Sequence, residues 1–176
     1  MFEVTAPSRA EIARAYEVLE ASWPDSRLPA EPTPAPPAPV VFLGHGRSPL
    51  WRDLRDHLQD KHGVTVEAYE IGSRAGHAIR DVLESMLRRS SIAFLILTAE
   101  DAMADGSMQA RQNVVHELGL FQGALGFSRA IAVLEEGTEE FTNIHGIEQI
   151  RFPAGRIRET FGEVLAAIRR EVEPAA

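Results

Sequence analysis

The sequence contains no cysteine. That removes disulfide scaffolds, thiolate zinc sites and cysteine nucleophiles together, and makes a cytoplasmic protein the default expectation. Lysine is almost absent too: Lys61 stands alone, and the remaining cations are arginine. Arginine's planar fork suits phosphate recognition, but the codon bias of a GC-rich genome accounts for the same skew. No apolar run approaches the roughly 20 residues of a membrane span. The opening MFEVTAPSRAEIARAYEVLE lacks the basic and then apolar order of a secretory leader. Basic charge is scarce, with 18 Lys+Arg against 26 Asp+Glu and a formal net charge of −8. Neither nucleic acid nor a membrane is therefore an expected partner.

What is present is enough apolar material for a core. Residues of the AVILMFWYC set make up 44% of the 176, and with glycine counted the share is about half, the ordinary globular value. The length suits one domain with a little left over. Residues 1–23 read as an amphipathic helix: Ser8 and Glu11 form an S-x-x-E capping box, and Ile12, Tyr16, Leu19 and Trp23 follow at helical spacing. Residues 24–39 hold seven of the 11 prolines and read as a semi-rigid linker. The folded domain is expected over residues 40–173.

There, strand-like and helix-like segments alternate. Strands are expected at Val40–Leu43, Val64–Tyr69, Ile92–Thr98, Ala130–Leu134 and Ile147–Phe152. Helices are expected around Trp51–Leu58, Ile79–Leu87, Val114–Leu125 and Ile157–Val172. IAFLILT at 92–98 is a continuous apolar run of strand length, as in a central parallel strand covered on both faces. The alternation predicts an α/β domain, a flavodoxin-like five-stranded parallel sheet with helices on both faces.

In such a sheet ligands bind beyond the carboxyl ends of the strands, which singles out three connections. Gly44-His45-Gly46-Arg47-Ser48 follows the first strand; its glycines allow close backbone approach, and Arg47 with the next helix N-terminus favours an anion. A plain strand-to-helix turn fits the same residues. Ile71–His77, with Arg74, is a polar loop after the second strand. The third connection runs from Thr98-Ala99-Glu100-Asp101 to Arg111-Gln112-Asn113-Val114-Val115-His116-Glu117, and is long for this architecture. Asn113 and Glu117 share a helical face, with Glu117 about 40° from Phe121 on the rim of the apolar stripe. A half-buried carboxylate there suits a catalytic acid or a ribose-hydroxyl acceptor; a solvated helical glutamate is the competing reading. The six histidines lack H-E-x-x-H or H-x-x-E-H spacing, so no metal site is expected.

VVFLGHGR at 40–47, AFLILTAED at 93–101, ARQNVVHELGLFQGALG at 110–126 and NIHGI at 143–147 resemble, in order and spacing, the bacterial TIR-like (Toll/interleukin-1 receptor) domain described as a predicted nucleotide-binding protein. That domain is also the effector half of TIR–STING anti-phage proteins. The likeness covers roughly residues 40–172. It implies the TIR fold and cleavage of the nicotinamide–ribose bond of NAD+, with NAD+ as substrate and no cofactor. Glu117 matches the family's essential glutamate. Gly44, His45, Gly46 and Arg47 would lie near the nucleotide, with Arg111 and Asn113 ordering the helix start. The Ile71–His77 loop, with Arg74, would complete a neighbour's site on TIR–TIR self-association. A separate sensor protein, reached through the N-terminal helix, is a further implied partner. Two other functions are carried beside this one: a non-catalytic nucleotide-binding or TIR–TIR interaction module, and an N-glycosidic enzyme like the nucleoside deoxyribosyltransferases.

Overall fold

The structure, a computed structural model, describes residues 5–22, 38–69, 79–141 and 147–172. The chain divides into two units, Met1–Pro37 and Ala38–Ala176. In the first, helix α1 spans Arg9–Ser22. The Glu11 amide donates to Ser8 Oγ at 3.3 Å, as the capping signal predicts, while the Ser8 hydroxyl donates to the Glu11 carboxylate. None of its residues is buried, and Ile12, Tyr16 and Leu19 lie exposed along one stripe.

The second unit is built on strands β1 (Val40–His45), β2 (Thr65–Ala68), β3 (Ile92–Leu97), β6 (Ala130–Glu135) and β7 (Gln149–Phe152), with a two-residue ribbon of β4 (Asp101–Ala102) and β5 (Met108–Gln109) after β3. The main sheet has the order β2-β1-β3-β6-β7, and every neighbouring pair is parallel. Side chains alternate across it. Val41, Leu43, Phe94, Ile96, Ile131 and Val133 face helices α2 (Trp51–Asp56) and α5 (Phe161–Val172), whereas Phe42, Leu95, Leu97 and Ala132 face α3 (Ile79–Arg89) and α4 (Gln112–Leu125). A strand covered on both faces must be apolar at every position, and all six residues of β3 are buried. The expected doubly covered, flavodoxin-like sheet is what forms.

The differences are local. β1 runs two residues past Leu43, because Gly44 and His45 pair with Leu95 and Ile96 on the longer central strand. The first candidate connection therefore starts at Gly46, and Gly44 and His45 are strand residues. α2 continues into a π-helical turn over His57–Lys61, and a 3-10 turn at Ile157–Thr160 precedes α5. The long connection after β3 is partly ordered by the β4–β5 ribbon, whose Asp101 pairs with Gln109. Chain order reverses across the sheet between β1 and β3: the crossover after β1 leads outward to β2, and the one after β2 returns to β3 on the other side. Crevices for ligands open at such a switch point, outside the carboxyl ends of the strands.

Candidate functional site

The end of β1 and the face of α4 meet at this switch point. Phe42 on β1 stacks on Phe121 of α4, with ring centroids 4.2 Å apart, which fixes the helix against the strand two residues before Gly44. One helical turn before Phe121, Glu117 turns its carboxylate toward β1. A Cβ built on Gly44 would collide with the Leu95 side chain and stand 3.0 Å from Glu117 Oε2. Glycine is needed here for space, in ordinary strand backbone, because the Leu95 side chain fills the room a side chain would take and the Glu117 carboxylate crowds its edge.

Glu117 is half-buried, and no hydrogen bond from another described residue holds its carboxylate. Burial pushes its pKa up from 4.5 to about 7, and the Arg111 guanidinium opposes that rise without cancelling it. The solvated-glutamate reading therefore fails. Its position against Gly44 of β1 withholds water from a group that would otherwise be fully ionised at neutral pH.

A second carboxylate behaves oppositely. Glu100, two residues beyond Thr98 at the end of β3, reaches under the β1–α2 connection. Its Oε2 accepts the Arg47 amide at 2.7 Å, and its Oε1 accepts the Ser48 amide at 3.1 Å and the Thr98 hydroxyl at 2.6 Å. Burial alone would raise its pKa; the hydrogen bonds from Thr98, Arg47 and Ser48, with the Arg47 charge, outweigh it and hold the group below the usual carboxylate range. Gly46 is the matching requirement, since a Cβ there would fall on the Glu100 carboxyl group. The amides of Arg47 and Ser48 thus hold an anion of the protein itself, Glu100.

Between these two walls lies a cavity of about 540 Å³, bounded on the β1 side by His45, Gly46 and Arg47 and on the α4 side by Arg111, Asn113 and Glu117. Seven of the eight residues singled out from the sequence are thus described. Six line this cavity, and Gly44 sits behind Glu117 as the residue that makes room for it. The eighth, Arg74, lies outside the described residues, as does the rest of the Ile71–His77 loop. Arg47 also pairs with Asp101 at 3.3 Å, an exposed contact weak enough to exchange for a ligand. Asn113 is exposed, and Arg111 precedes the first residue of α4.

Sequence reasoning missed part of the wall. Trp51, Arg52, Tyr69 and His116 also line the cavity. Trp51 was expected as a core residue of α2, and it is 3% exposed. It also stacks on His45 at 4.0 Å, with the Arg55 and Arg52 guanidiniums 4.9 and 5.6 Å from its ring centroid. A tryptophan immediately behind a Gly-His-Gly-Arg turn is the signal that was available. Among the described residues, no group of three His, Asp or Glu side chains is placed to hold a metal ion, and no helix is long and apolar enough to cross a membrane.

With this geometry in place, the family becomes decidable. Residues 40–154, well over half of the chain, match the family described as "CAP12/Pycsar effector protein, TIR domain". The chain belongs to that TIR family. The chain is also similar to the CD-NTase-associated protein 12 of Flavobacterium daejeonense, with 28% identity over 118 residues. The match covers 64% of this chain and 37% of that relative, so the chain spans well under half of the relative's length. All the residues that line the cavity fall inside the 40–154 span, which makes the site part of the TIR domain itself.

Proposed function

We propose that this TIR effector domain is an NAD+ glycohydrolase and that Glu117 is the carboxylate on which the reaction depends. The supporting observation is the pairing of one desolvated carboxylate, unclaimed by any hydrogen bond among the described residues, with a roomy cavity at the sheet's switch point. The chemistry asks for little more. The bond between ribose C1′ and the nicotinamide nitrogen breaks, its electron pair stays with nitrogen, and nicotinamide leaves as a neutral molecule without needing a proton. The ribosyl group passes through an oxocarbenium-like state that a nearby carboxylate stabilises. Water then attacks C1′ and gives up a proton, for which a group with pKa near 7 is a suitable acceptor. The cationic nicotinamide ring of bound NAD+ favours the ionised form of Glu117, so substrate binding itself shifts the group toward its working state.

The arginines around the cavity, Arg47, Arg52 and Arg111, suit the diphosphate of a dinucleotide. The half-buried His45 ring, backed by the buried Trp51, suits stacking of a flat ring. We read the biological role as that of an effector in bacterial anti-phage defence. It works inside the cytoplasm, answers a separate sensor protein, and is switched on by TIR–TIR self-association. The test is nicotinamide release from NAD+ by full-length protein at concentrations high enough to force association, with Glu117→Ala alongside. Release by the wild type alone supports the enzyme reading. Tight NAD+ binding with no release from either would favour a nucleotide-binding module.

A further inference from the structure

The β1–α2 connection carries Gly46 and Arg47 into the cavity, yet no secondary structure holds Gly46–Ser48. What holds it is Glu100, contributed from 52 and 53 residues away in sequence and absent from the cavity lining. We propose that Glu100 is a positioning residue of this site: its two carboxylate oxygens, by accepting the Arg47 and Ser48 amides, fix the wall on which substrate is bound opposite Glu117. The inference rests on the cavity being the NAD+ site.

Three features support it. First, the two carboxylate oxygens are divided among the donors so that each amide has an oxygen, with the Thr98 hydroxyl orienting Oε1. An amide side chain cannot replace this arrangement. Glutamine would present one oxygen and one NH₂, and the NH₂ would face a backbone N–H, donor against donor. Second, the three atoms nearest to a Cβ on Gly46 all belong to the Glu100 carboxyl group. The glycine and the glutamate therefore presuppose each other. Third, the grip carries through to the cavity's charge. Asp101, next to Glu100, pairs with the Arg47 side chain while Glu100 holds the Arg47 amide, so the backbone and the guanidinium of one rim residue are set by adjacent carboxylates.

A residue that shapes the binding wall, without reaching the reacting atoms, acts on substrate affinity. Glu100→Gln in the full-length protein should raise KM for NAD+ by roughly tenfold or more and leave kcat within about threefold. Its acid limb, which belongs to Glu117, should stay where it is in the wild type. Affinity for ADP-ribose, measured by titration calorimetry, should fall by the same factor. Glu100→Asp, which keeps both oxygens on a shorter stem, should recover part of the loss. Gly46→Ala should weaken binding as Glu100→Gln does. Combined with Glu100→Ala it should add nothing further, since the collision partner is gone.

Wild-type KM in Glu100→Gln, or a fall in kcat with KM unchanged, would overturn the proposal. So would full additivity of Gly46→Ala with Glu100→Ala. If Glu100→Gln does not fold, Thr98→Val takes its place. It removes only the hydroxyl that orients Oε1, and must raise KM by roughly threefold; an unchanged KM would count against the role. The underlying reading fails separately: a wild type that neither releases nicotinamide nor binds ADP-ribose would refute the NAD+ site itself.

Discussion

Glu100 and Glu117 both lie against the last residues of β1, and each is accommodated by a glycine of the same Gly-His-Gly triplet. Gly46 makes room for Glu100 and Gly44 for Glu117. Both lose water on folding. Glu100 receives two backbone amides and a hydroxyl in return, so it stays ionised and serves as a structural anion. Glu117 receives only the field of Arg111, so its proton is held until about pH 7. Desolvation alone therefore does not decide a carboxylate's state. Whether donors replace the lost water does, and the group left without them is the one free to meet a ligand.

The comparison can be broken most sharply at Glu117 itself. Glu117→Ala should lower nicotinamide release by about 10³-fold or more while the fold survives, since a preorganised charge at a developing cation carries several kcal/mol of the barrier. Circular dichroism alongside the rate assay would separate this from unfolding. Gly44→Ala comes next. Its methyl group meets Leu95 and crowds Glu117, so turnover should fall on the order of 10²-fold and stability by about 1–3 kcal/mol. Chemical denaturation and the rate assay, run on the same preparation, report both.

Two pH experiments sharpen the contrast. The kcat/KM profile, which reports the free protein, should rise through about pH 7 as Glu117 ionises. Because Arg111 pulls that pKa down, Arg111→Met should move the limb to higher pH and reduce the rate at pH 6.5 by roughly threefold relative to the plateau. A limb that stays fixed, or moves down, would contradict the assignment. On stability the sign is set by the raised value. The folded protein holds the Glu117 proton beyond the point, near 4.5, at which the unfolded chain releases it. The stabilisation is therefore complete below about pH 4.5 and lost as pH rises through 7. Glu117→Gln cannot ionise, so at pH 8 it should be more stable than wild type by about 1–2 kcal/mol once partial exposure is allowed for, and close to it at pH 4. The smallest effect is expected at Asp101→Asn. This removes a 3.3 Å pair whose arginine side chain is 64% exposed, and should change stability by less than about 0.5 kcal/mol in thermal melts.

Much of the fold was legible in the chain because its signals are local. The apolar run at 92–98 reads as a strand covered on both faces, and β3 within it is buried throughout. The spacing of Val114, Leu118 and Phe121 marked the inward face of α4, and all three are buried. Glu117 could be placed on the rim of that face from helical angles alone. Its environment could not be read this way, because the strand it packs against, β1 at Gly44, is remote in sequence. Trp51 illustrates the same limit: its apolar character predicted burial, but the stack with His45 depended on β1 extending two residues farther than its apolar run.

Alternation of apolar periods and the order of its motifs were enough, by themselves, to determine a parallel α/β sheet, the TIR family and the helix that carries Glu117. These are properties of neighbouring residues, and backbone geometry enforces them locally. Only the tertiary structure decided which glutamate is an anion and which is held protonated up to neutral pH. That outcome turns on amides and apolar walls brought together across more than 50 residues, and hydrogen bonding and desolvation act through distances in space.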